Sequence, residues 1–117
     1  MLDNSYSITF NATSVTLTKV RENDYTSEYR GEDGQYKFVM SVKHQIVPRG
    51  TFGDSHMIRL DVEKYDAEGI YVRTTSYWRV IKTFDNSQDA ADCGYAAAAL
   101  DGLVGASFVT KLITGES

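Results

Sequence analysis

The chain has 117 residues, 42% of them hydrophobic, with one Cys, one Pro, eight Tyr and a formal net charge of −4. That is one domain's worth of chain, residues 1–117, able to bury a modest core without metals or cross-links, and the lone Cys93 excludes a disulfide within the chain. The opening Met-Leu-Asp-Asn-Ser lacks the basic and apolar regions of a signal peptide. The apolar run Tyr95 to Leu100 is too short for a bilayer, so a soluble protein without a membrane partner is expected.

The acidic total conceals a division. Residues 35–84 hold eight basic residues against five acidic ones, +3, while the remainder carries four against eleven, −7. A fold that separates these parts can present a basic face on an acidic protein.

In chain order, Ser7 to Asn11 and Ser14 to Arg21 are Thr-, Val- and Ile-rich and alternate, which predicts a hairpin joined at Ala12-Thr13. Tyr25 to Arg30 is a further strand, followed by a turn at Gly31-Glu32-Asp33-Gly34. Three segments then repeat a period of two, and a strand sends successive side chains to opposite faces. Over Gln35–Lys43, Tyr36, Phe38, Met40 and Val42 oppose Lys37, Val39, Ser41 and Lys43. Over Met57–Glu63, Ile58, Leu60 and Val62 oppose Met57, Arg59, Asp61 and Glu63. Over Val72–Ile81, Val72, Thr74, Ser76, Trp78 and Val80 oppose Arg73, Thr75, Tyr77, Arg79 and Ile81. One sheet with an oily side and a side of cations, hydroxyls and an aromatic ring is expected, with Trp78 in the core. Gln45 to Ser55 reads as a long loop and Asp66 to Gly69 as a tight turn, which makes the strands a meander over residues 7–82.

Beyond Phe84 the pattern changes to helix over 87–114. Asn86 or Ser87 supplies a cap, and Asp89 and Asp92 sit where the helix dipole favours negative charge. Tyr95, Ala98, Ala99 and Leu103 form a stripe. Gly102 and Gly105 end this helix, and a second runs from Phe108 to Thr114, with Leu112 and Ile113 inward. Strands followed by helices give an α+β layout, helices on one face of an antiparallel sheet.

In a meander the last strand, Ile70 to Lys82, lies at the edge and would be about 40 Å long. So long an open edge calls for a cover or a second chain, and pairing between two copies across a two-fold axis is expected.

The polar sets suggest phosphate contacts from Lys37, Lys43, Arg59, Arg73 and Arg79, with Ser41, Thr75 and Tyr77 bonding or stacking with bases. The plain alternative for any one of them is a solvated surface. Asp61 and Glu63 are better explained by pairing with Arg59 than as catalytic carboxylates. His44 and His56 have no Cys or carboxylate at ligand spacing and read as surface or loop residues, and Cys93 reads as a small packing residue. No metal site, phosphate loop or nucleophile motif is found, so neither a cofactor nor an enzyme is indicated.

Three motifs in order, Gln35-Tyr36-Lys37-Phe38-Val39-Met40-Ser41-Val42-Lys43, Ile58-Arg59-Leu60-Asp61-Val62 and Asn86-Ser87 with Ala99-Leu100-Asp101-Gly102-Leu103-Val104, resemble the coat proteins of single-stranded RNA bacteriophages (leviviruses). The resemblance covers essentially the whole chain. It implies a capsid protein of the virion, assembled in the bacterial host cytoplasm, that dimerises through its last strand into one continuous sheet and builds an icosahedral shell. It also implies binding of genomic RNA, including an operator hairpin for translational repression. By position the contacts would come from Lys37, Val39, Ser41, Lys43, Met57, Arg59, Asp61, Glu63, Arg73, Thr75 and Tyr77. The sequence departs from the family in its short 66–69 connection, its longer 45–55 loop, and the apolar Val39 and Met57 where relatives place small polar residues. The competing readings are a cellular small-ligand-binding α+β domain and an enzyme using Asp61 or Glu63.

Overall fold

The computed structural model describes residues 2–45, 54–83 and 90–115. Six strands, β1 (Ser5–Phe10), β2 (Thr13–Glu22), β3 (Thr26–Asp33), β4 (Tyr36–Gln45), β5 (Asp54–Tyr65) and β6 (Tyr71–Thr83), are followed by two helices, α1 (Ala90–Leu103) and α2 (Ala106–Ile113). The strands form one antiparallel sheet in the order β1-β2-β3-β4-β5-β6. Strands and helices constitute two separate units.

Short-range chemistry sets the turns. The β1–β2 turn falls on Asn11-Ala12, both left-handed (φ 48° and 65°), one residue earlier than expected. Such a turn matches the twist of a hairpin, and Asn tolerates that conformation well. Between β2 and β3, Asn23 Oδ1 accepts from the amides of Tyr25 (3.1 Å) and Thr26 (2.9 Å). Asp66 does the same before β6, taking the amides of Glu68 and Ile70 at 2.9 Å each, while Gly69 supplies a positive φ of 81°. The expected 66–69 turn is therefore present.

The 31–34 turn is narrower than expected. Only Gly34, with φ 57°, and Gln35 turn, and Gly31 belongs to β3 opposite Phe38. A Cβ on Gly31 would stand 2.5 Å from the Thr16 carbonyl oxygen and 2.9 Å from a Leu17 methyl. Glycine is required there by the close approach of β2.

The core consists of Val15, Leu17, Tyr29, Phe38 and Met40, with Tyr6, Ile8, Phe10, Tyr36, Leu60 and Val62 packed against them. The sheet curls to make it. In a flat sheet β1 and β4 would lie about 14 Å apart, yet the Phe10 ring on β1 meets Tyr36 and Phe38 on β4 at centroid distances of 5.0 and 5.1 Å. Tyr29, fully buried, donates its hydroxyl to the Asp3 carbonyl at 2.6 Å, and the Lys19 ammonium reaches the Leu2 carbonyl at 3.2 Å, so the segment before β1 is tied down.

The β5–β6 ladder contains one bulge. Tyr65 opposes Tyr71, but Lys64 opposes Arg73, which leaves Val72 as the extra residue. From there the register runs Asp61 to Ser76 and Arg59 to Trp78 as far as Asp54 and Thr83. β6 is an edge strand of 13 residues.

In the helical unit, α1 and α2 are bent by 77°. α2 starts at Ala106, with Gly105 as its cap, two residues before the expected Phe108. The expected stripe is not a buried one: Tyr95, Leu103, Leu112 and Ile113 are exposed, and the less exposed positions are Cys93, Ala97, Val104, Phe108 and Val109. Cys93 is a half-buried free thiol. The caps expected at Asn86 or Ser87, and Asp89, lie outside the described residues. No single helix among the described residues is long and apolar enough to cross a membrane.

Candidate nucleic-acid interface

The β4–β5 register assembles most of the expected site. Lys37 opposes Glu63, Val39 opposes Asp61, Ser41 opposes Arg59 and Lys43 opposes Met57, so all eight side chains share one face. Their partners on β3 are Glu32, Arg30, Glu28 and Thr26. The core residues Phe38, Met40, Leu60 and Val62 occupy the opposite face.

The third strand does not follow. Arg73 opposes Lys64, Thr75 opposes Val62 and Tyr77 opposes Leu60, which puts Arg73, Thr75 and Tyr77 on the apolar face, away from Lys37 and Arg59. The cause is the bulge. With Val72 in the ladder, the β6 residues beside Glu63, Asp61, Arg59 and Met57 are Thr74, Ser76, Trp78 and Val80. Trp78 is accordingly 53% exposed on the polar face and not in the core.

This face is mixed in sign, and three of its carboxylates are engaged. Asp61, with a side chain only 18% exposed, accepts from Arg59 Nε at 2.9 Å and from the Ser76 hydroxyl. Glu63 accepts from the Tyr65 hydroxyl at 2.7 Å, and Glu28 pairs with Arg30 at 3.3 Å. The hydrogen bond to Glu63, then burial and the Glu63 charge, hold the Tyr65 phenol above its ordinary pKa. Lys37 and Lys43 form no ion pair among the described residues.

Aromatic rings lie between the charges. The Arg59 guanidinium sits 4.4 Å from the Trp78 ring centroid, and the Lys37 ammonium 4.9 Å from that of Tyr65. Tyr65 in turn meets Tyr71 edge-on at 5.9 Å. Cations beside open rings suit a polyanion with unstacked bases, where phosphates take the charge and bases take the π faces. Sequence reading missed Trp78, Tyr65, Ser76 and Thr74. Tyr65 continues the alternation of Met57, Arg59, Asp61 and Glu63 by one more step, whereas only the position of the bulge would have revealed the three β6 residues.

The family model described as "Phage phiCb5, coat protein" matches residues 3–84, the strand-bearing part of the chain. The chain belongs to this coat protein family. No curated protein matches it. Among solved structures, the virus-like particle of Beihai levi-like virus 21 has a TM-score of 0.77 at 13% identity, over 100% of this chain and 98% of that one. The bacteriophage EMS014 coat protein has a TM-score of 0.68 at 12% identity, over 86% and 72%. An unassembled bacteriophage coat protein dimer, described as RNA-binding, has a TM-score of 0.54 at 14% identity, over 97% and 95%.

The similarity shows that the sheet and the two helices follow a coat-protein fold. As a phage coat protein this chain is a structural component of the virus particle and not an enzyme. The geometry agrees with that role: Asp61 and Glu63 are occupied as acceptors for neighbouring side chains.

Proposed function

We infer that this coat protein dimerises along β6 and binds its genomic RNA on the polar face of β4, β5 and β6. Phosphates would be held by Lys37, Lys43 and Arg59, with Ser41 adding a hydroxyl, and an unstacked base would lie on Trp78. Val39, Met57, Asp61 and Glu63 frame this surface, while Arg73, Thr75 and Tyr77 stand on the other side of the sheet. The observation that carries the reading is the register that sets Lys37, Lys43 and Arg59 on one face and brings the exposed Trp78 ring to Arg59.

Dimerisation rests on the edge. At about 3.3 Å per residue, β6 forms roughly 43 Å of sheet edge among the described residues, a rim that proteins cover or pair. Antiparallel pairing of two β6 edges is isologous and closes on itself. Ile58, Tyr77 and Ile81 are also exposed on the apolar face, surface of the kind that assembly buries. Within this reading dimers assemble in the host cytoplasm into an icosahedral shell, and an operator hairpin in the genome binds the same face and represses translation.

The test is the RNA content of purified particles. Lys43→Ala with Arg59→Ala should lower the 260/280 nm absorbance ratio, weaken RNA binding and flatten its dependence on salt, while dimers persist in size-exclusion chromatography. Unchanged RNA in the double variant would place the RNA surface elsewhere. A monomer at micromolar concentration would refute pairing along β6.

A further inference from the structure

His44 and His56 are the two histidines of the chain. They oppose each other across the β4–β5 ladder, on the face that carries Val42 and Ile58. Their Nδ1 atoms are 2.9 Å apart, the ring planes are inclined at 66° and the centroids are 5.1 Å apart. His44 is exposed and His56 half-buried, so the pair is open to solvent. The RNA-facing residues of the coat protein lie on the other face of the sheet, and the proposed function makes no use of this pair.

Two facing Nδ1 atoms at hydrogen-bond distance require one ring to donate and the other to accept. The same spacing suits a metal ion. Imidazole nitrogens bind divalent transition metals at roughly 2.0–2.1 Å, so two nitrogens subtending a right angle at the ion are about 2.9 Å apart and two at a tetrahedral angle about 3.4 Å apart. The observed spacing matches the right angle, the geometry of square-planar and octahedral Ni2+ and Cu2+ centres.

We propose that His44 and His56 form a chelating site for a divalent transition-metal ion of the Ni2+ and Cu2+ class, bound through both Nδ1 atoms with water completing the shell. The ion displaces the hydrogen shared between the rings and sits to one side of the line joining the two nitrogens. The donating ring moves its proton to Nε2, and both imidazoles remain neutral, so the hydrogen-bonded pair loses no proton to solvent. A ladder already fixes both Cα positions, and the second imidazole therefore binds at a high effective concentration. Because the ion bridges β4 to β5, it stabilises the folded sheet by mass action.

Isothermal titration with Ni2+ tests this on the full-length coat protein, with Cys93→Ser as a parallel background to remove the thiol. One Ni2+ per chain is expected, and His44→Gln or His56→Gln should each weaken binding at least roughly tenfold. Electron paramagnetic resonance of Cu2+ on the Cys93→Ser chain gives a reading that does not depend on the histidine variants folding. Its spectrum should show coupling to two equivalent nitrogens. Undiminished Ni2+ binding in either histidine variant, or a Cu2+ spectrum with fewer than two nitrogens, would overturn the site. Loss of RNA from the Lys43 and Arg59 variants would leave these measurements unaffected.

Discussion

Arg59 and Trp78 are cross-strand partners on the polar face, with the guanidinium 4.4 Å from the indole ring centroid. The ring beside the cation is 53% exposed. Since Trp78 is the one tryptophan of the chain, its fluorescence reports on this spot alone. Single-stranded RNA should quench it. Trp78→Ala should weaken RNA binding by about 1–3 kcal/mol, the usual worth of a base–aromatic stack, with dimer formation intact. Quenching by RNA with no loss of affinity in Trp78→Ala would remove the ring from the interface.

Asp61 restrains the same cation. Asp61→Asn keeps the shape and an acceptor for Ser76 but removes the charge that faces Arg59. Filter-binding titrations should show tighter RNA binding at low salt, and the slope of log affinity against log salt should steepen by roughly 0.7, one additional single-strand phosphate contact.

Alkaline stability should depend on Tyr65. Its phenol is neutral while it donates to Glu63, and its folded pKa lies above the ordinary value of 10.0. A group raised in this way contributes stability that is present in full below the ordinary value and is lost as pH rises through the folded one. Denaturation midpoints of the unmodified chain should therefore fall relative to Tyr65→Phe as pH climbs above 10. In Glu63→Gln, ultraviolet titration of the tyrosinates should show one phenol moving back toward the ordinary value.

Gly31 carries a packing constraint. Adding one methyl in Gly31→Ala drives a Cβ toward the Thr16 carbonyl oxygen, where backbone and not a flexible side chain must move. Chemical denaturation should show a loss of roughly 1–3 kcal/mol, the cost of overpacking. Gly34→Ala meets no atom within 4 Å, so its cost comes from the positive φ of 57°.

What was legible in the sequence was whatever a period of two or a turn residue encodes. Phe38, Met40, Leu60 and Val62 announced the core face of β4 and β5, and Lys37, Ser41, Lys43 and Arg59 its reverse. Asp66 and Gly69 announced their turn. The curl was not legible, because the contact of Phe10 with Phe38 joins strands that are not neighbours. Nor was Val72 as a bulge: it looks like any β-branched strand residue, and it decides the facing of the whole strand after it. Were Lys64 to oppose Val72, then Glu63, Asp61 and Arg59 would stand beside Arg73, Thr75 and Tyr77, as the alternation suggested. On the helices, Tyr95 and Leu103 read as an inward stripe because an apolar periodicity records only that a face can be buried, not that one copy of the chain buries it.

Deleting Val72 makes the point testable. The ladder should then run without a bulge, Tyr71 opposite Tyr65 and Arg73 opposite Lys64, and leave Trp78 beside Arg59 on the polar face. Acrylamide quenching of the tryptophan should match that of the unmodified chain, and RNA should still quench its fluorescence. A sharp drop in the quenching constant would mean that the strand had slipped by one residue and turned Trp78 inward.

Val72 is thus a spare residue in the ladder, held next to the turn where the strand can take up or give up one unit of length. Losing it would straighten β6 without exchanging its two faces, so the polar row beside Arg59 and the hydrogen-bonding rim that a second subunit would meet are both insulated from a single-codon change at that end of the strand.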